Sequence, residues 1–275
     1  MFSISSNIGS TQAQRSLLGN TKETQSTLAR LSSGKRVNSA QDDAAALAIA
    51  VGLTAQQTSL DQAVRNAGDA TDVVNTANVA LGDTTDILSR MRELTIASGS
   101  GGLNPVQRGD IQSEIDSLQN ELDRVANSTE FNGTKLLSGR ASLTYQVGAG
   151  NVAANDRLTV NTTDATAAGL GLRQIGLPPQ ANPASSLDSI DAALQAVSSM
   201  RATLGTQAAR ASSASALATQ QSINLARASG SLTDADIAAE TSNLSRDLIL
   251  GNASASVLLQ ANQNPQAALR LLSLS

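Results

Sequence analysis

Catalysis by a side chain usually runs through histidine, cysteine or a poised carboxylate, and this chain of 275 residues contains no histidine and no cysteine. The usual general base, the most nucleophilic side chain and the common transition-metal ligands are therefore missing. Only a Ser/Lys or carboxylate-based chemistry remains open, and the chain is not expected to be an enzyme or to hold a metal or cofactor. The densest gathering of reactive types is RLSSGKRVNSAQDD at residues 30–43, followed directly by an alanine- and isoleucine-rich run. Its spacing has a conformational meaning. Gly34 is placed to end one helix, Lys35 and Arg36 suit the negative end of that helix, and Ser39 stands before Asp42 as in a capping box. Asp42 and Asp43 then precede the start of a second helix. The stretch is a hinge, and the elements it joins must be read from the rest of the chain.

The composition narrows those elements. Hydrophobic residues make up 40% of the sequence, yet the aromatics are only Phe2, Phe131 and Tyr145. A pool of Ala, Leu, Val and Ile suits long thin helices better than a thick core. With a formal net charge of -4 and scattered cations, no nucleic-acid surface is expected. No window reaches the ~18 apolar residues of a membrane span. The N-terminus lacks a basic segment followed by an apolar run, so export would proceed without a cleavable Sec-type signal. An adhesin or glycan-binding module would need an aromatic platform that three aromatics do not supply.

The strongest periodicity runs from Ala46 to Thr95. Alternate steps of three and four land on Ile49, Leu53, Gln56, Leu60, Ala63, Ala67, Ala70, Val74, Ala77, Leu81, Thr84, Leu88 and Met91, predicting one long heptad helix. The breaker SGSGGLNP at 98–105 separates it from a shorter antiparallel partner with Ile111, Ile115, Leu118, Leu122 and Val125 on its seam. Period-two alternation in SLTYQVG and DRLTVN predicts a small β-hairpin near 140–162. The proline-rich GLPPQANPASS at 176–186 is the clearest loop.

Helical spacing resumes at Leu187 and breaks at GSLTDAD, residues 230–236, a counterpart of the opening hinge. The last segment places Ile237, Leu244, Leu248, Leu258, Leu269 and Leu272 on one seam, with Gly251-Asn252 and Pro265 as its weak points. Both ends are thus amphipathic helices whose apolar stripes nothing in a single copy evidently covers. Isolated pairs of such helices are marginal in water. Other copies are expected to cover them.

These motifs closely resemble those of bacterial flagellin. RLSSGKRVNSAQDDAAALAIA, AVRNAGDA at 63–70 and the run from MRELTIASG to TKLLSG at 91–139 are similar to the family's N-terminal region. LTDADIAAETSNLSRDLIL and ASVLLQANQNPQAALRLL are similar to its C-terminal region. The resemblance implies a mainly α fold: long heptad helices in a rod-like bundle with a small β-hairpin, plus a coiled coil of the paired terminal helices. It implies an inner core of 1–38 with 236–275 and an outer core of 39–235. The stretch 161–186 is too short for an inserted outer domain.

In function, the resemblance implies a secreted, extracellular subunit that polymerises into the hollow flagellar filament, the propeller for swimming. Export would follow the flagellar type III route. Partners implied are an export chaperone, the filament cap, hook-filament junction proteins and a flagellin-sensing Toll-like receptor. Assembly would use Ile4, Ile8, Leu18, Leu28, Leu31, Leu244, Leu248, Leu258, Leu269 and Leu272. Gly34, Asp42 and Asp43 would form the spoke between inner and outer cores. Arg90, Leu94 and Glu114 match the receptor-binding patch, with Ser89 where a glutamine is common. A hook-filament junction protein is the alternative; it would share the terminal helices but diverge in the 31–50 and 237–262 motifs, which here fit flagellin better.

If the terminal stripes are covered only by other copies, limited proteolysis of the monomer should trim roughly the first and last 40 residues and spare the bundle. The polymer should resist at the same sites. Equal protection of the ends in both forms would count against the reading.

Overall fold

Each stretch of helical spacing becomes a helix in a computed structural model of the chain, which describes residues 7–140, 142–173 and 183–272, the side chains of 264–272 excepted. In chain order these are α1 (Ile8–Ser33), α2 (Ala44–Ser98), α3 (Pro105–Ser128), β1 (Glu130–Phe131), β2 (Thr134–Lys135), β3 (Ser142–Gln146), the single turn α4 (Ala153–Asp156), β4 (Arg157–Asn161), α5 (Pro183–Thr233) and α6 (Ile237–Leu272). The chain forms two compact units, Met1–Ala55 with Asn224–Ser275, and Gln56–Ile223.

In the larger unit the seam of α2 is buried from Leu60 onward, Ala70, Ala77, Leu81, Leu88 and Met91 completely so. α3 contributes Ile115, Leu122 and Val125, and α5 contributes Ile190, Val197, Leu204 and Ala211. The cross-links give the directions. Arg90 reaches Glu114 at 2.9 Å, and Arg108 donates to the Ser98 carbonyl, so α3 runs back along α2. Arg92 meets Asp191 at 2.7 Å, Arg201 donates to Asn78 at 3.2 Å and Ser222 donates to Asp61 at 2.8 Å, so α5 is antiparallel to α2 as well. Alanines on the seam let the helices approach closely. Buried Thr84 and Thr95 fit among them because each hydroxyl donates to a carbonyl one turn back, Ala80 at 3.0 Å and Met91 at 2.8 Å.

The ends of α3 follow from local chemistry. Asn104 and Gln107 form a reciprocal capping box and Pro105 occupies the first turn. After Thr129, Asn132 and Gly133 adopt φ of 48° and 77°, and this two-residue turn pairs β1 with β2. The Asn-Gly signal for that hairpin was present in the sequence, but its two-residue strands show no periodicity. β3 pairs antiparallel with β4, Tyr145 opposite Leu158 and Leu143 opposite Val160. Their inward side chains close the bundle core.

Several expectations need correcting. Ile49 is 53% exposed and Gln56 is exposed, so of the first turns of the predicted α2 seam only Ala46 is buried, with Leu53 half-buried. The loop expected at 176–186 falls largely outside the described residues, but Pro183 already opens α5. The break expected over 230–236 is shorter, because α5 continues to Thr233. α6 runs unbroken through Gly251-Asn252 and Pro265. A helical glycine weakens a helix by about 1 kcal/mol, which the remaining turns absorb.

The bundle core is testable at Leu81, which is fully buried. Leu81→Ala should lower stability by about 2–5 kcal/mol, read as a lower urea midpoint at unchanged slope. A loss below about 1 kcal/mol would mean that the site collapses or is not core.

Candidate functional site

The hinge is a crossing of two linkers in the smaller unit. α1 ends on Gly34, which has φ 69° in the left-handed region, and a Cβ built there meets nothing within 4 Å. The requirement for glycine is therefore purely conformational. Beyond it, Lys35 pairs with Asp234 as an antiparallel bridge. Ala235 N–H donates to the Gly34 carbonyl at 2.9 Å, and Arg36 N–H donates to the Thr233 carbonyl at 2.7 Å. The Arg36 guanidinium donates to the Leu232 carbonyl at 2.8 Å, satisfying the last turn of α5 rather than its own helix. Val37 is the buried apolar residue of the crossing.

The two aspartates divide the work. Asp43 caps α2, its carboxylate accepting from Ala46 N–H at 2.9 Å. Asp42 turns back into the loop and accepts from the Ser39 N–H at 2.9 Å, the Asn38 N–H at 3.1 Å and the Ser39 hydroxyl at 3.0 Å. The expected capping role of Ser39 and Asp42 is thus replaced by a loop clasp with Asp43 as the cap. The Ser39 N–H foremost, then that of Asn38, hold the Asp42 carboxyl below its ordinary value. The clasp is complete above the ordinary aspartate pKa and is lost only as pH falls through the lowered one.

Beside the hinge, α1 and α6 pair antiparallel. Polar groups cross the pair along its length, and Leu17, Leu31, Leu244 and Leu258 are half-buried. Asn7 donates to the Ala261 carbonyl at 2.9 Å, Ser10 to Asn262 at 2.7 Å, Asn20 to Ser254 at 3.1 Å and Thr27 to Asp247 at 3.2 Å. Near the hinge Arg30 and Glu240 form an ion pair at 3.7 Å whose Glu240 side chain is 10% exposed. Arg30 Nε and Glu240 Oε2 have no hydrogen-bond partner. Ala13 and Thr27 are the buried residues of α1.

The larger aliphatic residues are divided between the pair and solvent. Ile8 is 74% exposed, Leu18 65% and Leu248 53%. Leu28 is also exposed, whereas Leu31, Leu244 and Leu258 are half-buried. Ile4 and the side chains of Leu269 and Leu272 lie outside the described residues. A single three-four seam missed Ile249, Leu250, Val257 and Leu259, all exposed. The signal was there as two aliphatic triplets, Leu248-Ile249-Leu250 and Val257-Leu258-Leu259. Three consecutive residues spread over more than half the circumference of a helix, so α6 is apolar on several sides at both places.

In the bundle, Arg90 and Glu114 are brought together, and Arg90 also meets Glu93 at 3.1 Å. Leu94 lies beneath them in the core, 7% exposed. The Glu114 carboxylate foremost, then Glu93, raises the Arg90 pKa above its ordinary value. Ser89 is exposed and donates to the Thr85 carbonyl. Among the described residues no acidic cluster is arranged to hold a metal and no helix is long and apolar enough to cross a membrane. The notable surface is aliphatic and suited to association.

Known proteins resemble the chain in sequence over nearly its whole length. The family model for the bacterial flagellin N-terminal helical region matches residues 4–142, and that for the C-terminal helical region matches residues 187–272. The chain is 36% identical over 270 residues to a flagellin of Halalkalibacterium halodurans, covering 98% of this chain and 99% of the relative. It is 34% identical over 304 residues to a flagellin of Bacillus subtilis, covering 98% and 99%. A crystal structure of Bacillus cereus flagellin overlaps 60% of this chain and 94% of its own, with 25% identity and a TM-score of 0.48.

Gly34→Val would force a β-branched residue to positive φ at a cost of about 1–2 kcal/mol. Hydrogen exchange of α1 amides should accelerate about 5–30-fold while melting of the larger unit stays unchanged. A lower melting point of the bundle, with α1 protection intact, would show that Gly34 serves the bundle instead.

Proposed function

Because the chain belongs to the bacterial flagellin family, whose members are structural subunits of the flagellar filament, we infer that the exposed apolar faces of α1 and α6 are where copies of the chain meet in that filament. The two aliphatic triplets of α6 carry this reading. Each leucine moved from water into a contact contributes ~1.5–3 kcal/mol. α1 cannot cover them all, because it occupies one side of α6 and leaves Leu248, Ile249, Leu250, Val257 and Leu259 exposed. A helix that is apolar on several sides belongs inside an assembly.

In this reading residues 1–38 and 236–275 line the inside of a hollow filament and residues 39–235 form the outer rod. Gly34, Asp42 and Asp43 act in the spoke between them. The chain leaves the cell by the flagellar type III route, escorted by an export chaperone that shields the same aliphatic faces. It then adds beneath the filament cap, the first copies docking on hook-filament junction proteins. The family matches are to flagellin, and nothing in them favours the junction protein itself. Arg90 and Glu114 form the exposed part of a Toll-like receptor patch, with Leu94 supporting it from below.

Leu248→Asp tests the central claim. In one copy Leu248 is 53% exposed, so the monomer should keep its helicity and melting point. In a filament the carboxylate would be buried without a partner at a cost of several kcal/mol. Monomer should accumulate in the medium while electron microscopy finds no filaments. Filaments at normal yield would mean that this face is not the contact.

A further inference from the structure

We propose that a second contact joins copies of this chain through the larger unit: an acidic stripe on α2 of one copy seats in an arginine-rimmed groove between α5 and the β3–β4 hairpin of the next. The inference rests on the filament reading and goes beyond it, because it involves neither terminal helix.

The groove has a volume of about 290 Å³. Val147, Leu158, Ala209 and Ala214 give it an apolar floor, with Arg157 and Arg210 at its edge. The Arg157 guanidinium donates to Asn151 at 3.0 Å and Gln146 at 3.4 Å, both neutral side chains. The neighbouring Asp156 carboxylate is turned to the Val152 N–H at 2.8 Å. Arg210 has no hydrogen-bond or ion-pair partner among the described residues. Two cations therefore stand beside an apolar floor with no anion paired to either.

The complement lies on the face of α2 opposite its buried seam. Asp72, Val79, Asp83 and Asp86 follow one another by steps of seven, four and three, which places them on one stripe. Val79 is 67% exposed. The three aspartates are exposed, and none of their carboxylates has a partner among the described residues. Elsewhere in this unit Arg90, Arg92 and Arg124 are paired with carboxylates, whereas Arg65 and Arg201 meet the neutral side chains of Gln62 and Asn78; the stripe sets three unpaired anions beside an exposed aliphatic knob, and the groove sets two unpaired cations beside an apolar floor. A free anion would answer the arginines but leave the floor wet, whereas the Val79 stripe satisfies both. Because knob and groove are different surfaces, the contact is head-to-tail. Such contacts generate rings when the rotation closes and open helical polymers when it does not, and the filament reading calls for the second.

The test exchanges the charges. One variant carries Arg157→Glu and Arg210→Glu; the other carries Asp72→Arg, Asp83→Arg and Asp86→Arg. Circular dichroism establishes that each folds. Alone, each variant faces like charge with like, and its critical concentration for filament formation should rise at least about tenfold. Mixed in equal amounts, the groove of each matches the stripe of the other, so assembly should return to within about threefold of the unmodified chain. Variants that assemble normally alone, or a mixture no better than either, would overturn the proposal. Failure of the unmodified chain to form filaments would instead overturn the filament reading. A second measurement needs no charge change. The chain has no cysteine, so Val79→Cys with Ala214→Cys introduces a unique pair. Oxidised filaments should yield a ladder of linked copies on a non-reducing gel and soluble monomer none. Filaments that yield no ladder would count against the contact.

Discussion

The pairing of α1 with α6 leaves much of the aliphatic surface of both helices uncovered, and that constrains what this protein can be. Polar contacts align the two helices and Leu31, Leu244 and Leu258 are half-buried, while Ile8, Leu18, Leu28, Leu248, Ile249 and Leu259 are left facing water. An isolated helix gains little from its own hydrogen bonds beyond the ordering of the chain, and most helical stability in proteins comes from packing of an apolar face. Hydrophobic area left uncovered on α1 and α6 is area that association can bury, which is the basis of the contact inferred above.

The hinge shows how a narrow crossing can be made without a hydrophobic core. Its buried apolar residue is Val37, and its order comes from backbone bonds exchanged between Gly34 and Ala235 and between Arg36 and Thr233. Asp42 and Asp43 look equivalent in sequence but divide between loop and helix, because only Asp43 stands where its carboxylate can reach an unpaired N–H of the first turn of α2. The Arg30–Glu240 pair beside it leaves one polar atom of each partner unsatisfied. With the Arg30 side chain 33% exposed, the pair is partly solvated, and it ties α1 to α6 beside the hinge.

The larger unit follows the opposite strategy. Its seams are filled with alanine, valine and leucine and its ion pairs lie at the surface. The Arg90, Arg92 and Arg124 pairs are each largely solvated, and exposed pairs of this type contribute about 0–1 kcal/mol. The Arg90–Glu114 and Arg92–Asp191 pairs orient α2 against α3 and α5 more than they hold them, while the Arg124–Glu121 pair lies within α3. Stability comes from the seam, and the surface charges are free to serve recognition.

Much of this was determined by the sequence alone. Heptad spacing over 46–95, the breaker at 98–105 and the turn chemistry at Gly34 each act within a few residues, so local propensity and periodicity express them directly. The absence of histidine and cysteine excluded the usual catalytic chemistry just as directly. What only the tertiary structure decided depends on residues far apart in the chain. Whether Ile49 is covered, which oxygen Arg36 reaches and whether Leu94 lies above or below the Arg90–Glu114 pair are set by neighbours supplied by distant segments. The same holds for the second apolar side of α6. A seam read along one helix assigns one buried face, whereas the triplets at 248–250 and 257–259 acquire meaning only once α1 is seen to occupy a single side. Periodicity records that a helix has an apolar face; only packing determines which neighbour covers it, because burial is a property of the pair and not of either strand of sequence.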